Sequence, residues 1–493
     1  MSFSTLLQNA LLISPEIIVS VAGLALAVLA PILKQTPRSK RSVIFSSVAI
    51  AGFAAAFALN TGRFDGVQTA FSGSLSLDTF AGFFNSVFLI NAAAVTFFAL
   101  SYTREPERLG EFLALSAFCT AAMMLMTESV EFISLFVAFE TMSICAYALS
   151  AFSSRAFPSA ESGIKYLVTG GFSSAVMLFG IALFYGAAGS LRFDEIGAAF
   201  AASPSNPMLI TGAALVLSGF IFKVGGAPLH QWIPDVYHGA PLPAAAFMSV
   251  GVKVAAFAVL ARFIVQIGEF GDWAFPLILT IVAVATMTAG NIAAIAQSNV
   301  KRMLAYSSVA HVGYGFVGIV AYLAAQNTDG LSGLFYYMCA YAVMSLGAFG
   351  ILSLISGDEN EYQTFSDIAG LWRTKPAVAA GLAVFMFSLA GIPPTIGFFA
   401  KYRVFLPAAQ EGMLWLVLVA LVNSVVSAYY YLKVLVFVFM KPVSKQQTVK
   451  TVTAGIGAQA VLALLCIATL LLGVFPMYSA EMADAAAQAL TLK

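Results

Sequence analysis

The chain has 493 residues, of which 60% are hydrophobic and 10% are charged, and its formal net charge is +1 at pH 7. Soluble globular domains carry about 25% charged residues, so this composition excludes that class and is typical of a polytopic membrane protein. A net charge near zero, without a basic patch, gives no indication of a nucleic-acid partner.

Membrane-spanning helices are the main predicted elements, because each needs ~20 consecutive, mostly apolar residues. The sequence predicts fourteen such spans and therefore an all-α, polytopic membrane fold. The first span follows no basic segment, so we expect a retained helix rather than a cleaved signal. The fourth and fifth are separated by little more than residues 128–131, which requires a tight turn. The predicted spans are 11–33, 42–60, 77–101, 110–127, 130–152, 162–188, 207–233, 241–267, 273–297, 302–325, 331–356, 377–407, 412–440 and 452–476.

The distribution of Lys and Arg between the loops predicts the orientation, because cytoplasmic loops carry an excess of both residues. The even-numbered loops contain only Arg63 and Arg192, whereas the odd-numbered loops contain fifteen basic residues. We therefore expect the odd-numbered loops on the cytoplasmic side and both termini on the opposite side. The fifteen residues are Lys34, Arg38, Lys40, Arg41, Arg104, Arg108, Arg155, Lys165, Lys301, Arg302, Arg373, Lys375, Lys441, Lys445 and Lys450.

Two of the predicted spans contain helix-breaking residues near their middle. The seventh reads GFIFKVGGAPLHQWIPDVYHGAPLP, and its break directly follows Lys223. The twelfth reads FSLAGIPPTIGFFAKYRVF, and its break precedes Lys401. Pro removes a backbone donor, and freed backbone groups at membrane depth must find partners. Broken helices therefore indicate a cavity, and breaks in corresponding halves of a chain indicate a substrate or ion site.

The two breaks also predict an internal repeat, because the span after each one contains a further lysine, Lys253 and Lys433. We interpret spans four to eight and nine to thirteen as two five-helix repeats. An odd number of helices in each repeat makes the two inverted in the membrane. The predicted organisation is a three-helix segment at 1–109, a first half-channel at 110–268, a second half-channel at 269–440, and a C-terminal helix and tail at 441–493.

Four charged residues lie inside predicted spans: Glu140, Lys223, Lys253 and Lys401. A charge at the bilayer centre costs at least ~2.5–3.5 kcal/mol, so such residues usually face a polar path. Buried lysines release protons readily, and we interpret the three as proton-transfer groups, with Glu140 as the partner of Lys223. The alternatives are structural: a protonated, hydrogen-bonded Glu140, snorkelling of Lys223 and Lys401, and pairing of Lys253 with a carboxylate.

Several polar residues are weaker candidates for the same path. Histidine titrates near neutrality and can relay protons, but a satisfied interior histidine is an equal alternative at each site. Lys301 and Lys433 have a role at a proton entrance or, alternatively, are positive-inside charges. His238 is expected to be uninvolved, and Ser307 and Ser308 either hydrate the tenth span or pack within it. The weaker candidates are His230, His311, Lys301 and Lys433.

Metal and redox centres are not indicated in this chain. The four cysteines, Cys119, Cys145, Cys339 and Cys466, form no CxxC pair, and the three histidines are dispersed. Zinc and iron–sulfur ligation are therefore not expected, and the lack of a Walker or GxGxxG motif argues against nucleotide binding. The 43 Phe and 17 Tyr are interpreted as lipid-facing and interfacial packing, with no inference about a cofactor.

Three segments of the chain resemble the antiporter-like membrane subunits of respiratory complex I, the bacterial NADH–quinone oxidoreductase. They are FKVGGAPLHQWIPDVYHGAPLPAAAFMSVGVKVAAFAVLARF, KRMLAYSSVAHVGYGFVG and LAGIPPTIGFFAKYRVF, and the resemblance extends over essentially the whole chain. Three features favour one of the three antiporter-like subunits over the other two. They are the segment PDVYHGAP, Lys rather than Glu at position 401, and the absence of a long lateral helix after the last span.

The resemblance implies fourteen helices, two inverted five-helix repeats and broken seventh and twelfth helices. It also implies an interacting pair of Glu140 and Lys223, a central connecting Lys253 with His230 nearby, and a second-half Lys401 near the periplasmic exit. The location it implies is the bacterial inner membrane. NADH, FMN, iron–sulfur clusters and quinone would be bound by other subunits, and other membrane-arm subunits would be the partners, including a neighbouring antiporter-like subunit.

The resulting hypothesis is a proton-translocating subunit that has no redox centre of its own. A proton would enter from the cytoplasm to Lys223, pass through water and further titratable groups to Lys401, and leave on the periplasmic side. A subunit of a multicomponent cation/proton antiporter is the first alternative, although sodium transport would require more intramembrane carboxylates. A non-pumping scaffold that joins other membrane subunits is the second.

Overall fold

The computed structural model of the chain describes residues 3–102, 106–153, 157–268, 274–356, 364–443 and 455–491. These residues form α-helices with one small β-hairpin, so the predicted helical membrane fold is confirmed at that level. The helices are α1 Phe3–Leu12, α2 Ser14–Ile32, α3 Arg38–Asn60, α4 Thr79–Tyr102, α5 Pro106–Glu128, α6 Phe132–Ser150, α7 Phe157–Ala188, α8 Phe193–Ala202, α9 Pro207–Val224, α10 Trp232–Gly239, α11 Leu242–Ile267, α12 Ala274–Ile295, α13 Val300–Ala325, α14 Thr328–Ile355, α15 Leu371–Thr374, α16 Pro376–Ala390, α17 Ile396–Gln410, α18 Leu414–Met440, α19 Ile456–Val474 and α20 Met477–Thr491.

Thirteen helices of the described residues are long and apolar enough to cross a membrane. Each corresponds to one predicted span, and the tight turn between the fourth and fifth spans is present, since α5 ends at Glu128 and α6 begins at Phe132. The twelfth predicted span instead consists of two helices of 15 residues each, α16 and α17. Neither half is long enough to cross a bilayer alone, because a helix rises only about 1.5 Å per residue.

Both predicted helix breaks are present and share one backbone geometry. Helix α9 ends at Gly225 with φ +85° and ψ 40°, and α16 ends at Gly391 with φ +86° and ψ 40°. In each case the glycine N–H donates to two carbonyls of the preceding turn, a left-handed helix end that glycine adopts without steric cost. After the first break the chain resumes as the short helix α10, and after the second as α17.

Several elements at the ends of the spans were not predicted. They include α1, α8, α20 and a hairpin in which β1 (Gln68–Ala70) pairs antiparallel with β2 (Leu75–Leu77). Helix α20 packs against α4 and α14. Its Asp484 accepts hydrogen bonds from Arg403 of α17, at 2.6 Å, and from the hydroxyl of Ser332. The tail predicted at 441–493 therefore contains a docked helix.

Helix α11 is the most enclosed element of the described chain. It packs against α4, α5, α8, α9 and α14, and all of its residues except Gln266 are buried. Helix α13 lies nearby and packs against α10, α12, α14 and α17. The elements that carry Lys253 and His311 thus lie in the interior, between the two predicted half-channels.

Some predicted features lie outside the described residues. Of the fifteen basic residues used to predict the orientation, Arg104, Arg155, Lys445 and Lys450 fall there. The predicted boundary between the half-channels, at 268 and 269, is described only on its first side. The division into half-channels and their inversion remain predictions.

Candidate functional site

Lys223 lies in the last turn of α9, directly before the first helix break. Its side chain is 2% exposed, and Nζ donates a hydrogen bond of 2.6 Å to Oγ of Ser143 on α6. A cation at the C-terminal end of a helix is also favoured by the helix dipole. The ammonium group is therefore held by a neutral hydroxyl and by the helix end, and not by lipid.

Aromatic rings complete the surroundings of Lys223. Nζ lies 5.0 Å from the ring centroid of Phe139, 5.3 Å from that of Tyr166 and 5.5 Å from that of Tyr147. Cations are attracted to ring faces within about 6 Å. These rings stabilise the charged amine without adding a formal negative charge.

Glu140 lies one turn before Ser143 on α6 and is half-buried. Its Oε1 accepts a hydrogen bond from the hydroxyl of Ser174 on α7. Glu140 is in Coulombic range of Lys223, but none of the ion pairs of the described residues joins the two. The predicted partners are therefore neighbours without direct contact, and each is held by its own serine.

Lys253 lies in the middle of α11 and is 2% exposed. Its Nζ donates a hydrogen bond of 2.8 Å to the carbonyl of Ser308 on α13, and it lies 5.3 Å from the ring centroid of Tyr341. Lys253 belongs to none of the ion pairs found among the described residues, so the alternative interpretation of a structural carboxylate pair finds no support.

His311 is buried on α13 between the second and third lysines. Its Nδ1 lies 2.5 Å from the hydroxyl of Tyr337, and its Nε2 lies 3.1 Å from the hydroxyl of Tyr431. Both ring nitrogens therefore have a partner that can donate or accept a proton. His311 is in Coulombic range of both Lys253 and Lys401, so it lies near both amines.

Lys401 on α17 bonds to the end of the broken helix beside it. Its Nζ donates to the carbonyls of Ala390, at 2.9 Å, and Leu389, at 3.3 Å, and to Oγ of Ser424 at 2.7 Å. The last carbonyls of a helix have no intrahelical donor, and the break at Gly391 leaves these two free for the lysine. The side chain is 7% exposed.

A hydrogen-bonded network of uncharged polar groups lies next to Lys401. The ring centroid of Tyr314 is 5.3 Å from Nζ, and the Tyr314 hydroxyl accepts a hydrogen bond of 3.1 Å from Asn291. Asn291 also bonds to Oδ1 of Asn423 at 3.1 Å and accepts from Tyr430 at 2.8 Å. The third lysine therefore adjoins a polar interior rather than dry packing.

Buried tyrosines are the interior polar groups that sequence reasoning missed. The interpretation of Tyr as lipid-facing and interfacial packing is wrong for eight of them, each less than 2% exposed, because helix packing turns them toward the interior. Tyrosine is enriched at membrane–water interfaces, so a tyrosine well inside a predicted span, such as Tyr314 or Tyr431, was an available signal. The eight are Tyr166, Tyr237, Tyr314, Tyr336, Tyr337, Tyr341, Tyr430 and Tyr431.

The other three weaker candidates differ in burial and in their partners. His230 is half-buried in the turn after α9, and its Nδ1 has no hydrogen-bond partner among the described residues. Lys301 is 1% exposed and donates a 2.5 Å bond to the carbonyl of Ala240, so it is a buried group rather than a surface charge. Lys433 is half-buried and donates to the carbonyl of Gln297 at 3.2 Å.

The remaining polar residues named from the sequence have local partners. A ring nitrogen of His238 lies 3.1 Å from the amide of Asn299. The hydroxyls of Ser307 and Ser308 each donate to a backbone carbonyl of their own helix, at 2.8 Å. The described residues contain no group of three or more His, Cys, Asp or Glu side chains able to hold a metal ion.

The class of protein that carries such a site is given by comparison with known families. Residues 129–427 match the family described as "NADH:quinone oxidoreductase/Mrp antiporter, TM". In a respiratory complex I from Thermus thermophilus with bound aureothin, one chain is similar with a TM-score of 0.80 and 31% identity, over 95% of this chain and 98% of that one. A chain of the Mrp complex from Dietzia sp. shares the fold, with a TM-score of 0.84 and 22% identity.

Curated relatives narrow the class to one branch. An NADH-quinone oxidoreductase subunit N from Trichlorobacter lovleyi is 40% identical over 462 residues, which is 92% of each chain. A subunit N from Myxococcus xanthus is 38% identical over 93% of this chain and 94% of its own. The chain belongs to the subunit N family of the NADH-quinone oxidoreductases, and the branch favoured by PDVYHGAP and Lys401 is confirmed.

Proposed function

We propose that the chain is a proton-translocating membrane-arm subunit of an NADH–quinone oxidoreductase. It moves protons from the cytoplasm to the periplasm, driven by quinone reduction in other subunits. The finer architecture belongs to the same proposal: fourteen spans, with α16 and α17 counted as one, two inverted five-helix repeats at 110–268 and 269–440, and both termini in the periplasm. Membership of the subunit N family supports the assignment.

One observation carries the proposal: three buried amines are held by neutral groups. Lys223, Lys253 and Lys401 bond to hydroxyls and backbone carbonyls, and none of the three appears in the ion pairs of the described residues. A lysine paired with a carboxylate keeps its proton, because losing it leaves a buried anion unpaired. An amine held by neutral groups can lose and regain a proton without that penalty.

Coupling between Glu140 and Lys223 provides the switch. Two unit charges 4 Å apart interact by ~4 kcal/mol at an effective dielectric constant of 20, which is enough to decide which amine holds a proton. In the described arrangement each residue is hydrogen-bonded to a separate serine, Ser174 and Ser143. Direct approach of the carboxylate therefore requires exchange of these two hydrogen bonds, and this exchange keeps the proton on Lys223.

The second part of the path runs from Lys253 through His311 to Lys401. The tyrosine hydroxyls on both nitrogens of His311 support this relay. Lys223 and Lys253 bond to different groups, Ser143 and the carbonyl of Ser308, so water is the proposed carrier between them. His230 adjoins this stretch, and Lys301 and Lys433 act at the cytoplasmic entrance.

Redox chemistry and most partners belong to other subunits. We propose that NADH, FMN, iron–sulfur clusters and quinone are bound elsewhere in the complex and that this chain holds no redox centre. A neighbouring antiporter-like subunit covers the outer face of α6, where Ile133, Val137 and Ile144 are each about 60% exposed beside the half-buried Glu140. Such a neighbour would shield the carboxylate from lipid and could move it.

The test is Lys401→Ala in inner-membrane vesicles, with Lys441→Ala on the exposed loop as the matched control. We expect normal assembly, a severalfold loss of proton uptake per electron transferred and slower electron transfer for Lys401→Ala alone. Unchanged proton uptake in the Lys401 variant would contradict the proposal. Lys223→Ala tests the scaffold alternative, which requires pumping and quinone reduction to stay intact.

A subunit of a multicomponent cation/proton antiporter is the second candidate, and the fold shared with the Dietzia Mrp complex favours it. Sodium prefers oxygen ligands with negative charge, whereas the hydrogen-bond partners of the three amines among the described residues are neutral. Co-purification decides between the two: the complex I assignment requires flavin- and cluster-bearing subunits in the same particle, and the antiporter assignment requires their absence.

A further inference from the structure

Three charged side chains meet at the ends of three helices in the first 128 residues of the chain, far along the chain from the lysines. Glu16 lies in the first turn of α2, Arg63 in the 3-10 turn Thr61–Asp65 after α3, and Glu128 at the last position of α5. They are 2%, 6% and 0% exposed. We call them the Glu–Arg–Glu cluster.

The guanidinium of Arg63 bridges the two carboxyl groups. Its Nη2 donates to Oε2 of Glu16 at 2.7 Å, and its Nη1 donates to Oε1 of Glu128. The amide of Asn85 donates to the same Oε1 of Glu128 at 2.9 Å, and its own oxygen accepts from Thr127 at 3.0 Å. Because Thr127 engages the oxygen, the amide nitrogen of Asn85 must face the carboxyl groups.

The cluster has one negative charge too many for its surroundings. Two carboxylates and one guanidinium sum to −1, and a buried uncompensated charge costs several kcal/mol. The two carboxyl groups are also close together, because the amide nitrogen of Asn85 lies 3.5 Å from Oε1 of Glu16 and 2.9 Å from Oε1 of Glu128, and two ionised carboxylates that share a site repel each other. In addition, Oε2 of the fully buried Glu128 has no hydrogen-bond partner. Both observations indicate a missing proton.

We propose that Glu16 and Glu128 share one exchangeable proton beside Arg63, and so form a proton-binding site separate from the row of lysines. With that proton the cluster is neutral, and one carboxylic O–H can bond to the other carboxylate. The site is separate from the proposed path through Lys223, Lys253 and Lys401, because the hydrogen bonds between Glu16, Arg63, Glu128 and Asn85 include none of the three lysines.

The position of the cluster supports exchange with water. All three residues lie at helix ends, so the proton has only a short distance to the aqueous phase on the side of the even-numbered loops.

Other cations of the described residues do not supply the missing positive charge. Arg63 is the only cation among them that forms an ion pair with either carboxyl group. Both Nη atoms of Arg262 donate to Asp78 instead, and those of Arg192 donate to Gly73 and Asp194. A proton is therefore the second positive charge that makes the cluster neutral.

Infrared difference spectra of the purified complex test the proposal, since a protonated carboxyl group has a separate C=O stretching band that shifts in D2O. Glu16→Gln and Glu128→Gln are each expected to remove one carboxylic-acid band and to assemble normally, because glutamine imitates the protonated side chain. Arg63→Gln is expected to add one band, since both carboxyl groups then become neutral. Glu195→Gln on the exposed surface of α8 is the control and should leave the spectrum unchanged.

The proposal is overturned if neither glutamine variant loses a band. It is also overturned if both variants fail to assemble, because a site that already holds one neutral carboxyl group tolerates glutamine at one of the two positions. If the band is lost in the variants but does not shift in D2O, the proposal that this proton exchanges with water is overturned.

Discussion

Neutral partners set the chemistry of the buried amines at the residue scale. Ser143 is the only hydrogen-bond partner that Lys223 has among the described residues, whereas Lys401 has three acceptors. The protonated form of Lys223 therefore depends on a single hydroxyl and on aromatic rings, and it is the more sensitive of the two amines to loss of one contact.

Ser143→Ala is expected to lower proton pumping while Lys223 itself is still present. A hydrogen bond to a charged group contributes about 1.5–3 kcal/mol, so its loss disfavours the protonated amine and slows loading of the path. Proton uptake and NADH oxidation are measured in the same vesicles. Ser218→Ala on α9 is the control, because that hydroxyl bonds only to the carbonyl of Leu215, and an equal effect of both variants would contradict the role of Ser143.

His311→Gln is expected to stop proton transfer between Lys253 and Lys401. Glutamine can still bond to tyrosine hydroxyls but cannot take up a proton near neutral pH, so uptake should fall severalfold with normal assembly. His238→Gln, next to Asn299 at the end of α10, serves as the control. Full pumping by the His311 variant would mean that protons bypass this residue.

The three lysines could be predicted from the sequence, because a charge inside an apolar span has few structural explanations. The side chains that contact these lysines could not be predicted. Ser143, Tyr341 and Ser424 are common residue types in membrane helices, and only the rotation of each helix against its neighbours decides which of them face an amine. His230 shows the converse: it was predicted as a relay, but its Nδ1 has no hydrogen-bond partner among the described residues.

At the scale of elements, the second helix break places a lysine against a glycine. A Cβ atom at Gly391 would lie 3.0–3.3 Å from Cδ, Nζ and Cε of Lys401. Any side chain at this position therefore pushes on the amine, and the left-handed conformation adds ~1–2 kcal/mol for a residue other than glycine.

Gly391→Ala is expected to reduce proton pumping more than it reduces the amount of assembled complex. Gly412→Ala is the matched control, because Gly412 also has a positive φ of +78° but no neighbour within 4 Å of an added Cβ. The two variants share the backbone cost and differ in the contact with Lys401. Proton uptake normalised to assembled complex should fall only for Gly391→Ala, and equal losses would attribute the effect to backbone strain.

The helix breaks were predictable at element scale, since Gly and Pro inside an apolar span have few other uses. The geometry of the broken helices was not predictable. The sequence suggested one long twelfth span, while the structure forms two helices whose free carbonyls bond to Lys401. Helix α20 was also missed, since its many alanines give a weak apolar pattern and its position depends on Asp484 meeting Arg403.

At the scale of the whole molecule, a buried ion pair connects the N-terminal three-helix segment to α11. Asp78 precedes α4, and its carboxylate accepts two hydrogen bonds, of 2.8 and 2.9 Å, from Arg262. The two side chains are 4% and 1% exposed. Such distant pairs cannot be predicted from a single sequence, because nothing local relates a residue at 78 to one at 262.

Asp78→Ala is expected to reduce the amount of chain in the membrane strongly. Removing one member of a buried pair typically costs about 3–5 kcal/mol, because the other charge is left unpaired. The exposed pair of Arg192 and Asp194 provides the control: Asp194→Ala should change stability by no more than about 1 kcal/mol. Immunoblots and native gels measure the outcome, and normal levels of the Asp78 variant would show that Arg262 has other adequate partners.

The complete enclosure of α11 has a consequence for energy conservation. Because Lys253 has other helices of the same chain around it, we expect a proton bound there to leave only through side chains and water enclosed by this polypeptide. Detachment of a neighbouring subunit should therefore not open a proton leak at Lys253. After such detachment, we expect protons to leak first at Glu140, the half-buried carboxylate on α6.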